Sequence, residues 1–268
     1  MDSGRSRPFQ TGVATGFAAA LILAGPAWPL ALSFQQGDGG LHSDTDATFI
    51  QGRAGVNFSA GGPAANFGSV DTLAVDDDPG GSAGNPNLES LTRILLRFPG
   101  LLGPAPGQVP FGAAISSASI TLRTTADEFA GTGAALAVHE VLAPWSESSV
   151  TWDGFGGGGT AGVEYSAAPL SSFAPNAVST AFSFDITAAA QAWSEGAANH
   201  GVFIESTSDD VAFFYSDDHA LQAFRPRLDI DFVPIPEPST ALMLGLGLGL
   251  VGLKRAIVRD FPRAFMRE

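Results

Sequence analysis

Apolar and polar residues alternate along most of this chain. In Arg93–Phe98, Ile94, Leu96 and Phe98 fall on one face, and Arg93, Leu95 and Arg97 fall on the other. Ala118, Ile120 and Leu122 alternate with Ser119, Thr121 and Arg123, and Leu136, Val138 and Glu140 oppose Ala137, His139 and Val141. The same period recurs at Phe182, Phe184 and Ile186, at Val202 and Ile204, at Val211, Phe213 and Tyr215, and at Leu228, Ile230 and Phe232. An earlier run opens at Asp46-Ala-Thr-Phe49-Ile50. Successive strand side chains point to opposite faces, so these runs predict half-buried strands. Clusters of Gly, Pro, Asn and Asp separate them. They make the stretch 52–87, with its Asp76-Asp77-Asp78 run, read as hairpins and loops around Leu73 and Val75. The expected fold is all-β, an antiparallel β-sandwich or jelly roll.

One short helix interrupts the pattern. Residues 187–195 are rich in alanine; Asp185 stands where a cap would, and Gly196 ends the run. The segment is too short to form a layer, so it is expected to close one end of the sandwich with Trp193 as a plug.

Both ends depart from the strand period. Arg5 and Arg7 precede the apolar run Val13–Leu23, and small residues follow at Gly25, Ala27, Ala31 and Ser33. This is the form of a signal peptide over residues 1–33, cut by signal peptidase between Ala27 and Ser33. At the other end, Pro236-Glu237-Pro238 precedes an apolar Gly/Leu run and Lys254-Arg255. The 15 residues Ser239–Leu253 fall short of the ~20 that a spanning helix takes. Snorkelling of Lys254 and Arg255 extends a membrane helix to about 239–258. Arg259 and Arg263 add positive charge on that side, which fits a cytoplasmic C-terminus.

The tail resembles the PEP-CTERM sorting signal of exported bacterial proteins. That resemblance implies recognition and cutting by an exosortase near Pro236, Glu237 and Pro238, with Lys254 and Arg255 as the basic stop. It also implies an exported protein at the cell surface or outside the cell, with a Gram-negative type of envelope. The tail would anchor the protein in the inner membrane transiently, or permanently if uncut.

Charge narrows the partners. Between Phe34 and Pro238 there are six arginines and 24 acidic residues, a net charge of −18, and the only lysine of the chain is Lys254. Such a body does not neutralise phosphates, so nucleic acid is not an expected partner. With no cysteine in the chain, disulfides and thiolate chemistry are excluded. The exported body must therefore stand on its apolar core.

Several landmarks follow one another in order: Asp46-Ala-Thr-Phe49-Ile50, Asn66-Phe67-Gly68, Arg93–Phe98 and Trp145-Ser-Glu147-Ser-Ser-Val-Thr-Trp152 come first. Phe184-Asp185-Ile-Thr187, Gln191-Ala-Trp193, Asn199-His-Gly201 and Arg225-Pro226-Arg-Leu228 continue the series. Over residues 44–232 the chain is similar to the DNRLRE family of exported β-sandwich domains, itself similar to carbohydrate-binding modules. The resemblance implies a domain at 44–233, after a flexible lead-in at 34–43 and before the sorting tail at 234–268. It further implies a non-catalytic polysaccharide-binding or matrix protein in an exopolysaccharide setting. A polysaccharide lyase or hydrolase and a purely structural surface protein are the alternatives.

Candidate chemistry is sparse. Trp145, Tyr165 and His139 are the candidate ligand contacts, although indole rings more often anchor cores. Glu147 is expected to hydrogen-bond within its own turn, and no second carboxylate stands at a spacing that identifies a glycosidase pair. The acidic loops, Asp44, Asp46, Asp217 and Asp218 above all, are candidates for a structural calcium, which takes six to eight oxygen ligands. Gly80-Gly-Ser82-Ala-Gly84 lies among turn formers, without the strand and helix that a nucleophile elbow needs.

Overall fold

The alternating runs become two antiparallel sheets packed face to face. The computed structural model describes residues 28–39, 42, 44–53, 61–78, 90–208 and 210–234. Residues 1–27 of the expected signal peptide 1–33, the tail helix at 239–258, and Pro236, Glu237, Pro238, Lys254 and Arg255 lie outside the described residues. Among the described residues no helix is long and apolar enough to cross a membrane.

The described strands are β1 (Leu30–Gln35), β2 (Asp46–Arg53), β3 (Thr72–Asp78), β4 (Ser90–Arg97), β5 (Ala114–Arg123) and β6 (Leu136–Glu140). They continue with β7 (Ser171–Phe173), β8 (Ala181–Asp185), β9 (Val202–Ser206), β10 (Ala212–Tyr215) and β11 (Arg227–Val233). The first sheet runs β1-β11-β5-β8 and the second β10-β3-β4-β9-β6-β7, with β2 also on β4. Strand β4 is the hub of the second sheet. Its Thr92 pairs with Gln51 of β2 and Asp76 of β3, and its Ile94 pairs with Phe49 of β2 and Ile204 of β9. Hence β2 holds one side of β4 while β3 and β9 divide the other.

Between the sheets lies the main core. Phe34, Ile120, Leu122, Phe184, Leu228, Ile230 and Phe232 of the first sheet meet Leu73, Val75, Ile94, Leu96, Val138, Ile204 and Phe214 of the second. The helix α1 (Thr187–Ser194) follows β8 directly. The cap position falls to Ile186, one residue after the expected Asp185; Asp185 still reaches the first turn, its Oδ1 accepting from the Thr187 amide at 2.9 Å. At the far end the Ala197 amide returns to the Ala192 carbonyl, with Gly196 at φ 111°. Trp193 is buried in the core, and its Nε1 donates to Glu140 Oε1 at 2.8 Å, so the plug is also fastened.

Three local readings change. The first strand begins at Leu30, ahead of the 44–233 boundary, and Phe34 of the expected lead-in is a core residue. Its pairing to β11, from Leu30↔Phe232 to Gln35↔Arg227, depends on residues some two hundred positions away and leaves little local trace. The run Asp76–Asp78 ends strand β3 instead of forming a turn. Arg93 supports it there, donating to the Asp76 carbonyl and, at 2.9 Å, to Asp77 Oδ1. In β10 the buried face is Ala212 and Phe214, one residue out of step with the Val211, Phe213, Tyr215 reading. Phe213 and Tyr215 take the other face, where Tyr215 stacks on Phe224 and meets His219 at a tilt.

Candidate functional site

The second sheet is covered on both faces. On its outer face, Ile50 of β2, Leu95 of β4 and Phe203 of β9 form a second apolar layer with Val141, Trp145, Val150 and Phe155 of the β6–β7 connection. This explains why Leu95 stands between two arginines and Phe203 between two inward-facing residues.

Trp145 is 8% exposed. Its Nε1 donates to the His200 carbonyl at 2.7 Å, and the Arg97 guanidinium lies 5.1 Å from the ring centroid. Such a cation over an indole face is attracted by the ring quadrupole. The outer side of Trp145 borders a shallow depression of about 350 Å³, lined also by Pro144, Ser146, Ser149, Val150 and Phe155. Its lining mixes the nearly buried Trp145, Val150 and Phe155 with the hydroxyls of Ser146 and Ser149. Trp152 is half-buried, packed against Gly52 and Gly158, where a Cβ would come within 2.4 and 2.3 Å of its ring atoms. It serves the loop's own packing.

Tyr165 and His139 occur together deeper in the same face. Tyr165 stacks on Phe203 at 4.3 Å and meets His139 edge-on at 5.0 Å. His139 is buried on β6, its Nδ1 paired with the Ser166 carbonyl at 2.7 Å and its Nε2 facing Glu205 Oε1 at 3.4 Å. Glu205 Oε2 also receives the Tyr165 hydroxyl at 3.5 Å and faces Arg93 Nε at 3.5 Å. Burial and the Glu205 charge push the Tyr165 phenol above its ordinary value, so it stays protonated. This cluster braces the loop from beneath.

A third group gathers beside Trp145. Glu147 does not bond within its own turn: its Oε1 accepts from the Ala47 amide on β2 at 2.8 Å. Asn66 clamps the same turn, its Nδ2 donating to the carbonyls of Glu147 at 2.7 Å and Val150 at 2.8 Å. Gly68 must be small because a Cβ there would come within 2.1 Å of the Glu147 carbonyl oxygen. Asp46 pairs with Arg97, whose Nε donates to Oδ2 at 2.9 Å. Asp217, after β10, is buried, and Asp218 beside it is exposed. Burial comes first in raising Glu147 to about 7, with the charges of Asp46 and Asp218 adding to it. Burial likewise leads in raising Asp217 to about 8, helped by the charges of Glu147, Asp218 and Asp46. The charges of Asp46 and Asp218 thus act on both Glu147 and Asp217, while Asp44 lies exposed just upstream of β2. The Trp145-Ser-Glu147 spacing puts Glu147 beside a buried tryptophan and opposite the start of β2, a partner that its own turn does not announce. Among the described residues no three His, Cys, Asp or Glu already stand close enough to hold a metal ion.

The fold and its second apolar layer define an antiparallel β-sandwich protein with an elaborated loop over one sheet. The model of carbohydrate-binding module family 96 matches residues 58–231, and the chain belongs to that family. The PEP-CTERM protein-sorting motif matches residues 234–259, beginning one residue after β11 ends at Val233. The chain thus carries the sorting tail of exported proteins, in keeping with the sequence resemblance. No curated protein matches the chain.

Proposed function

We propose that this protein is a non-catalytic, polysaccharide-binding component of the bacterial cell surface or extracellular matrix, delivered there after an exosortase has acted on its tail. The observation that carries the reading is the adjacency of the two matches: a carbohydrate-binding module over the sandwich and a sorting motif directly behind its last strand. The depression at Trp145 is the proposed contact surface, with Ser146 and Ser149 offering hydroxyls to the sugar. A body with net charge −18 and no lysine favours neutral or cationic polymers, or anionic ones bridged by divalent cations.

A lyase or hydrolase is less well supported. Residue types that such an enzyme uses do meet at His139, Tyr165, Arg93 and Glu205, but the side chains of His139 and Arg93 are only 6% and 11% exposed. The test is affinity electrophoresis of the full-length chain in gels containing soluble polysaccharides, with viscosity followed in parallel. Retarded migration without loss of viscosity supports the proposal; loss of viscosity supports the enzyme.

Strand β1 refines the processing of the amino-terminal end. A cut after Ser33 would remove four of the six β1 residues, whereas a cut after Ala27 keeps the strand whole. The proposed mature N-terminus is Trp28. Amino-terminal sequencing of the exported protein should read Trp-Pro-Leu, and a start at Phe34 would contradict this assignment.

A further inference from the structure

One end of the first sheet is apolar, although the body as a whole is strongly acidic. Eight large apolar side chains stand exposed among the described residues, and three of them, Trp28, Leu30 and Phe111, are 79%, 50% and 61% exposed. The strand register brings these three to the same end. Leu30 of β1 pairs with Phe232 of β11, which pairs in turn with Ile115 of β5, and next to it Val233 pairs with Ala114. Trp28 precedes Leu30 by two residues. Phe111 lies in the turn that enters β5, closed by the Ala113 amide on the Pro110 carbonyl at 3.1 Å. The Gly112 amide donates to the Ser194 carbonyl at 2.8 Å, which fixes that turn to the end of α1.

The segments that meet here, 28–32, 110–115 and 232–234, contain no charged residue. On one face of β1, Phe34 is buried, Leu32 partly buried and Leu30 exposed. The core face of the strand thus runs out past its cover. Single apolar residues are ordinary on a protein surface, whereas a group of them marks a contact. What lies next to this end follows from the chain. Strand β11 ends at Val233, and the apolar run of the tail opens at Ser239. Six chain steps of no more than about 3.6 Å keep Ser239 within about 22 Å of Val233. The headgroup layer of a bilayer takes up about 5–8 Å of that reach.

We propose that this end seats on the membrane interface while the tail is uncut, with Trp28, Leu30 and Phe111 entering the headgroup region. An indole, apolar over most of its ring and polar at its N–H, suits that layer. The patch has no basic residue and the body a net charge of −18, so the matching lipid is zwitterionic, not anionic. Seating would bring residues 235–238, with their Pro236-Glu237-Pro238, to the membrane surface, where an exosortase would meet them. Once the tail is cut, three side chains are too little to hold the sandwich there. The inference rests on the proposed sorting tail and the proposed start at Trp28.

The experiment uses the exported, tail-bearing protein, purified from membranes of a host without an exosortase and reconstituted into phosphatidylcholine vesicles with brominated acyl chains. Flotation after an alkaline wash first reports whether the tail is inserted. Bromine quenches tryptophan at short range, and Trp145 and Trp193 are buried, so the difference between parent and Trp28→Phe isolates Trp28. That residue should lose about half of its emission. In the Trp28→Phe background, Phe111→Trp should be quenched to a similar degree, wherever signal peptidase cuts. Leu221→Trp should not be quenched: Leu221 is exposed near Arg225, which donates to the Gln36 carbonyl at the far end of β1, about 20 Å away. No flotation would overturn the tail reading and the proposal with it. Flotation with Trp28 or Phe111→Trp unquenched, or with Leu221→Trp quenched equally, would overturn the proposal alone. So would a blue shift without quenching, which would show that protein covers the patch.

Discussion

The two sheets of this sandwich spend their outer faces differently. In the first, the outer face is open. Ser117 donates to Asp231 at 2.8 Å, Thr121 and Ser183 share a hydrogen bond at 2.7 Å, and Arg227 donates to Asp229 at 2.9 Å. These are cross-strand or neighbouring polar contacts in reach of water, each contributing little. In the second, the outer face lies under a further layer, and its side chains are Leu95, Phe203, His139 and Ile50. The first sheet closes the core. The second also holds a loop in place, and that loop carries Trp145, Glu147 and the depression. The proposed contact residues sit where a sheet has been buried twice, because a loop can present side chains reliably only when something rigid holds it.

The contrast can be broken most forcefully at Phe203. Its ring stacks on Tyr165 at 4.3 Å and on Phe155 at 6.1 Å, so Phe203→Ala should destabilise the fold by about 3–5 kcal/mol in urea unfolding. A loss under about 1 kcal/mol would mean that the second layer does not anchor the loop. Next in size is Gly68→Ala, which pushes a methyl group into the Glu147 carbonyl. It should cost about 1–3 kcal/mol and disturb the Trp145 environment, read as a shift in tryptophan fluorescence. On the open sheet, Thr121→Ala removes one exposed hydrogen bond and should change stability by no more than about 0.5 kcal/mol.

The smallest effect concerns acid. Burial, with the Arg97 charge adding to it, holds the His200 imidazole below its ordinary value, so the folded state favours the neutral ring. The unfolded chain takes up its proton at about pH 6.5. The contribution is therefore complete above that pH and is lost as pH falls through it toward the folded value. Because His200 is only partly buried, the loss is slight. An NMR titration should place its midpoint below 6.5; a midpoint at or above 6.5 would contradict the packing described for Trp145 and Arg97.

The same contrast explains what could be read from the chain alone. Strands β5, β8 and β11 alternate cleanly because one face is core and the other water, and α1 with its Trp193 plug followed from local propensity. The second sheet was harder. With both faces buried, β6 shows four consecutive buried residues, and β9 buries Phe203 between Val202 and Ile204. Strand β7 lies within a Gly/Ala-rich stretch with no period of its own and exists by pairing with β6. Asp76–Asp78 looked like a turn because Arg93, which supports it, is 15 or more residues away. Trp145, Tyr165 and His139 were correctly placed near one another by none of these patterns; a shared outer face brings them together. Glu147 reaches the Ala47 amide at the start of β2, a contact 100 residues apart in sequence. Contacts of that range leave no periodic signal.

The most direct test of the account asks whether the loop held on the second sheet is a polysaccharide-contact surface. Full-length parent and Ser149→Arg, a charge placed at the exposed rim of the depression, would be incubated with a panel of insoluble polysaccharides that includes the producer's own exopolysaccharide, in the presence of calcium. The account predicts retention of the parent on at least one polymer, with at least tenfold weaker retention of the variant at unchanged Tm. No retention of folded parent on any polymer, or equal retention of the two proteins, would contradict it.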